Sequence, residues 1–117
     1  MTRVLVVEDD PDQLALLSAF LHRERCTVIA APTAESALGL PADLVPDLMI
    51  VDLVLPGLDG WQLTTRLRER YPDCPVAVAS VLDVADYPPG ALTLPKPVTR
   101  ADVAALVDGV RGRAARR

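Results

Sequence analysis

Pro46-Asp47-Leu48-Met49-Ile50-Val51-Asp52-Leu53-Val54-Leu55-Pro56-Gly57 is the stretch on which the fold turns. The apolar run from Leu48 to Val51 is too short for a core helix and ends in two β-branched residues. It reads as a strand buried on both faces, as in the middle of a parallel sheet. A lone carboxylate, Asp52, stands at its C-terminal end, and Pro56-Gly57 then breaks the chain. Open α/β sheets bind ligands outside the carboxyl ends of their strands. Asp52 is therefore where chemistry is expected, provided other polar groups converge on it.

Upstream, Val4-Leu5-Val6-Val7 repeats the pattern and ends in Glu8-Asp9-Asp10. Asp10 before Pro11 reads as an N-cap with proline at the first helical position, a better account of Asp10 than a ligand role. Leu14, Leu17 and Leu21 recur at helical spacing, which predicts a helix over Pro11 to Arg23. Thr27 to Ala30 is a weaker strand. Thr33 can cap a short helix from Ala34 to Leu40, limited by Gly39 and Pro41. Downstream, Asp59-Gly60 signals a turn, and Leu63 and Leu67 mark a helix ending near Tyr71-Pro72, with Trp61 packing at its start. Val76 to Ala79 is a fourth strand with Ser80 at its end. Pro88-Pro89-Gly90 leaves room for at most a short helical turn within Val81 to Tyr87. Ala91 to Leu94 is a marginal fifth strand that runs into Pro95-Lys96-Pro97. Thr99 caps a last helix carrying Val103, Leu106, Val107 and Val110 in helical period. The basic tail from Arg111 is expected to fray, its charge suiting a helix C-terminus.

Strands alternating with helices imply an α/β fold, a doubly wound parallel sheet of five strands with right-handed crossovers. The fourth helix is expected to be short or absent. At 117 residues the chain has the size of one domain, here residues 1–112 with a basic tail at 113–117. Half the residues are hydrophobic but only 3% are aromatic, so Leu, Val and Ala must fill the core. A net charge of −4 argues against nucleic acid as a partner. Cys26 and Cys74 make no metal spacing and read as reduced thiols. His22, beside Arg23 and Glu24, is expected to face solvent. The first apolar run is cut short by acids, unlike a signal peptide, and no run is long enough for a membrane span. The cytoplasm is the expected compartment.

Four strand ends carry polar groups: Glu8 with Asp9, Asp52, Ser80 and Lys96. All carboxyl ends of a parallel sheet lie on one edge, so these groups can meet. Clustered carboxylates make a hard oxygen site suited to Mg²⁺ or Mn²⁺. Lys96 beside Asp52 would stabilise its charge by ~4 kcal/mol at about 4 Å and an effective dielectric near 20, before desolvation.

Val6-Val7-Glu8-Asp9, Asp52 with Leu55-Pro56-Gly57-Leu58-Asp59-Gly60, Ser80 and Lys96-Pro97 together resemble the response-regulator receiver domain of two-component signalling, from about Arg3 to Val110. The resemblance implies a flavodoxin-like, CheY-like sheet. It implies Asp52 as phosphoacceptor and Asp9 as a direct Mg²⁺ ligand, with Glu8 acting through water and the Val54 carbonyl as a further ligand. Ser80 and Lys96 would engage the phosphoryl oxygens, and Pro97 resembles the family's cis proline. The phosphoryl donor would be a sensor histidine kinase or phosphotransfer protein, and the domain would catalyse only its own phosphorylation and slow dephosphorylation. It would act on an unidentified downstream protein target.

Thr93 stands where the family usually has an aromatic that turns inward on phosphorylation, so output is expected through residues 81–90 instead. The competing reading is a degenerate receiver, a protein-interaction module independent of phosphorylation. An aspartyl-phosphate hydrolase fits poorly, because such enzymes carry a second acid two residues after the nucleophile and Val54 stands there.

Overall fold

The computed structural model describes residues 1–115. Five strands form one parallel sheet: β1 (Thr2–Val7), β2 (Cys26–Ala31), β3 (Leu48–Val51), β4 (Val76–Val78) and β5 (Leu92–Thr93). Their order is β2-β1-β3-β4-β5, so the direction of winding reverses between β1 and β3. The helices are α1 (Pro11–Arg23), α2 (Ala34–Leu38), α3 (Gly60–Arg70) and α4 (Arg100–Ala115).

Side chains alternate across each strand and divide the core in two. Val4, Val6, Leu48 and Ile50 face Leu17 and Leu21 of α1 and Val103 and Val107 of α4. Leu5, Val7, Met49 and Val51 face Ala34 and Ala37 of α2 and Leu63 and Leu67 of α3. All four residues of β3 are buried, as a central strand of a covered sheet must be. Asp47 sets the register before β3: its N–H donates to the Arg3 carbonyl and its Oδ2 accepts the Arg3 N–H, both at 2.8 Å.

The helices start where the caps predict. Asp10 Oδ1 accepts the Asp12 N–H at 2.9 Å, and Asp59 Oδ1 accepts the Gln62 N–H at 2.8 Å. Thr33 with Ser36, and Thr99 with Asp102, exchange bonds reciprocally as capping boxes.

Helix ends differ more from expectation. α2 stops at Leu38, two residues early, because Gly39 is its C-cap and the Arg70 guanidinium of α3 takes the Leu38 and Leu40 carbonyls. The tail does not fray at Arg111. α4 continues to Ala115, and Arg111 is pinned by donating from Nε to Thr2 Oγ1 at 3.1 Å and from Nη2 to the Glu24 carbonyl at 2.6 Å. Arg116 and Arg117, the end of the expected tail, lie outside the described residues. Between β4 and β5 the chain makes only a 3₁₀ turn, Val84–Asp86, capped by Asp83. Among the described residues no helix is long and apolar enough to cross a membrane.

Candidate functional site

The carboxyl edge of the sheet at the β1/β3 reversal is where such folds place ligands. Glu8 leaves β1 there and its N–H donates to the Ala31 carbonyl at 3.2 Å. Asp52 leaves β3 and its N–H donates to the Val7 carbonyl at 3.1 Å. Ladder bonds thus continue past both strands and fix both carboxylates. Glu8 and Asp52 are buried and Asp9 is exposed. One oxygen from each of the three lies within 4.8 Å of the others.

Lys96 arrives from beyond β5. Its Nζ donates to Glu8 Oε2 at 2.9 Å and to Asp52 Oδ2 at 3.0 Å. The remaining oxygens have their own donors: Asp10 N–H on Glu8 Oε1 at 3.2 Å and Val54 N–H on Asp52 Oδ1 at 3.0 Å. The Lys96–Pro97 peptide is cis. Burial raises the Glu8 pKa, against the hydrogen bond from Lys96, and the Asp52 charge adds to the rise. Burial alone would lower the Lys96 pKa, but its bonds to Glu8 and Asp52 outweigh that and leave it raised. The sequence paired Lys96 with Asp52; its equal hold on Glu8 is visible only in the fold.

Ser80 is buried at the end of β4. Its Oγ accepts the Leu82 N–H at 3.2 Å, and its carbonyl accepts the Lys96 N–H at 3.0 Å. The structure therefore gathers Glu8, Asp9, Asp52 and Lys96 directly and ties Ser80 to Lys96 through the backbone. Val54 follows on the outgoing loop and is 54% exposed.

The donor set suits a small divalent cation. Mg²⁺ holds oxygens about 2.1 Å away, so opposed ligands lie about 4.2 Å apart. The 4.8 Å cluster needs only a slight closure to match. Three acids against one lysine also leave net negative charge for a cation to neutralise.

Three further residues shape this corner. A Cβ on Gly60 would fall 2.2 Å from Leu53 Cα and 2.5 Å from the Asp52 carbonyl oxygen. The first turn of α3 therefore rests on the peptide that follows Asp52, and the Gly60 N–H donates to the Leu53 carbonyl at 3.0 Å. Trp61 does not bury itself at the helix start; it stays 38% exposed and donates from Nε1 to the Asp86 carbonyl at 2.9 Å. Tyr87 packs with Leu53 and Val78 and donates its hydroxyl to the Ser80 carbonyl at 3.1 Å. Asp59-Gly60 signalled only a turn in the sequence, Trp61 only packing at the helix start, and nothing local marked the bonds that Trp61 and Tyr87 make.

The response regulator receiver domain family matches residues 4–107 of the chain. The chain belongs to this family. Among curated relatives, response regulator GtcR of Aneurinibacillus migulanus is 38% identical over 77 residues, 66% of this chain and 31% of that protein. Heme response regulator HssR of Staphylococcus aureus is 35% identical over 83 residues, 71% of this chain and 37% of that protein. The matched segment of the receiver domain thus spans well under half of either relative. Among solved structures, a two-component response regulator from Clostridium difficile superposes with a TM-score of 0.89 at 23% identity, over 97% of this chain and 98% of that one. Response regulator TrrA of Thermotoga maritima, in complex with Mg²⁺-BeF, gives 0.85 at 24% identity, over 94% and 99%. At these identities the two structures speak for the fold alone.

Proposed function

We propose that this receiver domain is the phosphoacceptor of a two-component phosphorelay, taking a phosphoryl group onto Asp52 from a phosphohistidine of a sensor histidine kinase or phosphotransfer protein. The observation that carries this reading is the shared lysine, with Lys96 Nζ 3.0 Å from Asp52 Oδ2 and 2.9 Å from Glu8 Oε2, beside Asp9. A P–N bond to the donor histidine breaks as an O–P bond to Asp52 forms. The strand ladder holds Asp52 in place, and the Val54 N–H orients it by binding Oδ1. Lys96 exchanges a carboxylate oxygen for a phosphoryl oxygen, and Ser80 donates its hydroxyl hydrogen to another. Glu8, Asp9, Asp52 and the Val54 carbonyl would hold Mg²⁺ or Mn²⁺, which when bound neutralises charge on the transferring phosphoryl group. The domain acts on itself and on no separate substrate, so it is not an enzyme in the ordinary sense.

Output leaves through residues 81–90 to an unidentified protein target. Thr93 is exposed on β5 and has no ring to turn inward, and the neighbouring segment carries only the 3₁₀ turn. The cytoplasm is the fitting compartment; neither nucleic acid nor a membrane surface is called for.

Exposed Thr93 also favours a second reading, a degenerate receiver that binds its partner without phosphate. Incubation with Mg²⁺ and a small phosphodonor, read by intact mass, separates the two. A gain of one phosphoryl group, absent in Asp52→Asn, is expected. No gain in the wild type would leave the degenerate receiver.

A further inference from the structure

The Ser80 carbonyl is a crossing point. It accepts the Lys96 N–H at 3.0 Å from one side and the Tyr87 hydroxyl at 3.1 Å from the other. Tyr87 is 9% exposed and packs in one cluster with Leu53, the residue after Asp52, and Val78, with Leu82 and Ala91 partly buried around it. Tyr87 therefore touches the neighbour of one reacting side chain and the backbone of another. The next residue back, Asp86, gives its carbonyl to Trp61 Nε1 at 2.9 Å. Trp61 follows Gly60, whose missing Cβ lets α3 rest on the peptide after Asp52. The chain thus closes a loop of contacts from Asp52 through Gly60, Trp61, Asp86 and Tyr87 back to Ser80.

Resting on the phosphoacceptor reading above, we propose that Tyr87 is the positioning residue for Ser80 and the link that carries its engagement outward, in the role that a ring on β5 cannot fill here. When Ser80 turns its hydroxyl to donate to a phosphoryl oxygen, the Leu82 N–H, which donates to the same Oγ at 3.2 Å, must follow or be released. The Ser80 carbonyl moves with it, and the Tyr87 hydroxyl must follow or let go. Asp86 and Tyr87 are consecutive, so either response reaches the Trp61 indole. The same segment also exposes two apolar side chains, Val81 at 74% and Val84 at 45%, so a change in its course changes the surface it offers.

The test uses Mg²⁺ with beryllofluoride as the phosphoryl mimic. Bound fluoride is read by ¹⁹F NMR, and emission is read from Trp61, the sole tryptophan. In the wild type both signals should appear at the same mimic concentration. Tyr87→Phe keeps the ring and removes only the hydroxyl. It should still show bound fluoride, with affinity weakened about three- to tenfold for one lost hydrogen bond, and its Trp61 response should vanish. A merely structural tyrosine would lower the melting temperature and leave that response in place, which would overturn the proposal. Hydrogen exchange on the wild type is a second check that needs no variant: unchanged protection over residues 81–90 on mimic binding would overturn it as well. Absence of bound fluoride in the wild type would instead remove the phosphoacceptor reading, and this one with it.

Discussion

Lys96 serves two buried carboxylates at once, at 2.9 Å and 3.0 Å, and one cation does not balance Glu8, Asp9 and Asp52 together. The strain shows on Glu8, whose pKa is raised above the ordinary 4.5, first by burial and then by the Asp52 charge. A carboxyl with a raised folded pKa binds more protons folded than unfolded, so it makes stability fall as pH rises. The fall begins near the ordinary value and is complete once pH has passed the raised one. Glu8→Gln should flatten that part of the pH–stability curve without divalent cation. It should also raise the neutral-pH stability, by an amount within about 1 kcal/mol. Urea melts of both proteins from mildly acidic to neutral pH check this. A wild-type curve that climbs over that range would mean that Glu8 is well accommodated as an anion. The sequence made the acids legible, since each ends an apolar strand run. It did not make this competition legible, because the Glu8–Lys96 contact joins the first strand end to the last.

At the scale of elements, α3 is placed by an absence. Gly60 has no Cβ, and one would meet Leu53 Cα at 2.2 Å and the Asp52 carbonyl oxygen at 2.5 Å, both backbone atoms that cannot swing aside. Gly60→Ala should therefore cost about 3 kcal/mol through overpacking, and it should also displace Asp52. Gly109 in α4 is the control. A Cβ there meets nothing within 4 Å, so Gly109→Ala should stabilise by up to about 1 kcal/mol through helix propensity alone. Thermal melts of the two variants should move in opposite directions; a stabilised Gly60→Ala would show that α3 can retreat freely from the site. The same element explains where sequence reading stopped short. Strand positions and the lack of a full helix between β4 and β5 were legible because apolar runs and Pro88-Pro89-Gly90 act locally. The end of α2 was not, because Arg70 reaches across from α3 to the carbonyls of Leu38 and Leu40. The extent of α4 was not, because Arg111 is held by Thr2 and Glu24, far away in the chain. The bond of Tyr87 was not legible for the same reason: its partner, the Ser80 carbonyl, is reached only when the loop folds back.

For the whole molecule, two apolar layers clamp the sheet and hold the charged edge in its unfavourable arrangement. Fold stability and cation binding must then be linked, since a ligand bound only by the folded form stabilises it by mass action. At a Mg²⁺ concentration about ten times the dissociation constant the gain is roughly 1.4 kcal/mol. For a domain of this size that corresponds to a rise in melting temperature of about 3–8 °C. A cation bound as proposed would relieve the repulsion among Glu8, Asp9 and Asp52, so chelation with EDTA at matched ionic strength should return the melting temperature to its lower value. Asp9 is the exposed member of the set and makes no contact with Lys96 in the structure's ion pairs, so Asp9→Ala should leave the chelated protein near wild type. The same substitution should abolish most of the Mg²⁺-dependent rise. Scanning calorimetry of both proteins, with Mg²⁺ and with EDTA, separates this from general salt stabilisation. An equal Mg²⁺-dependent rise in wild type and Asp9→Ala would place the stabilising cation elsewhere on the acidic surface and detach the strand-end carboxylates from metal binding.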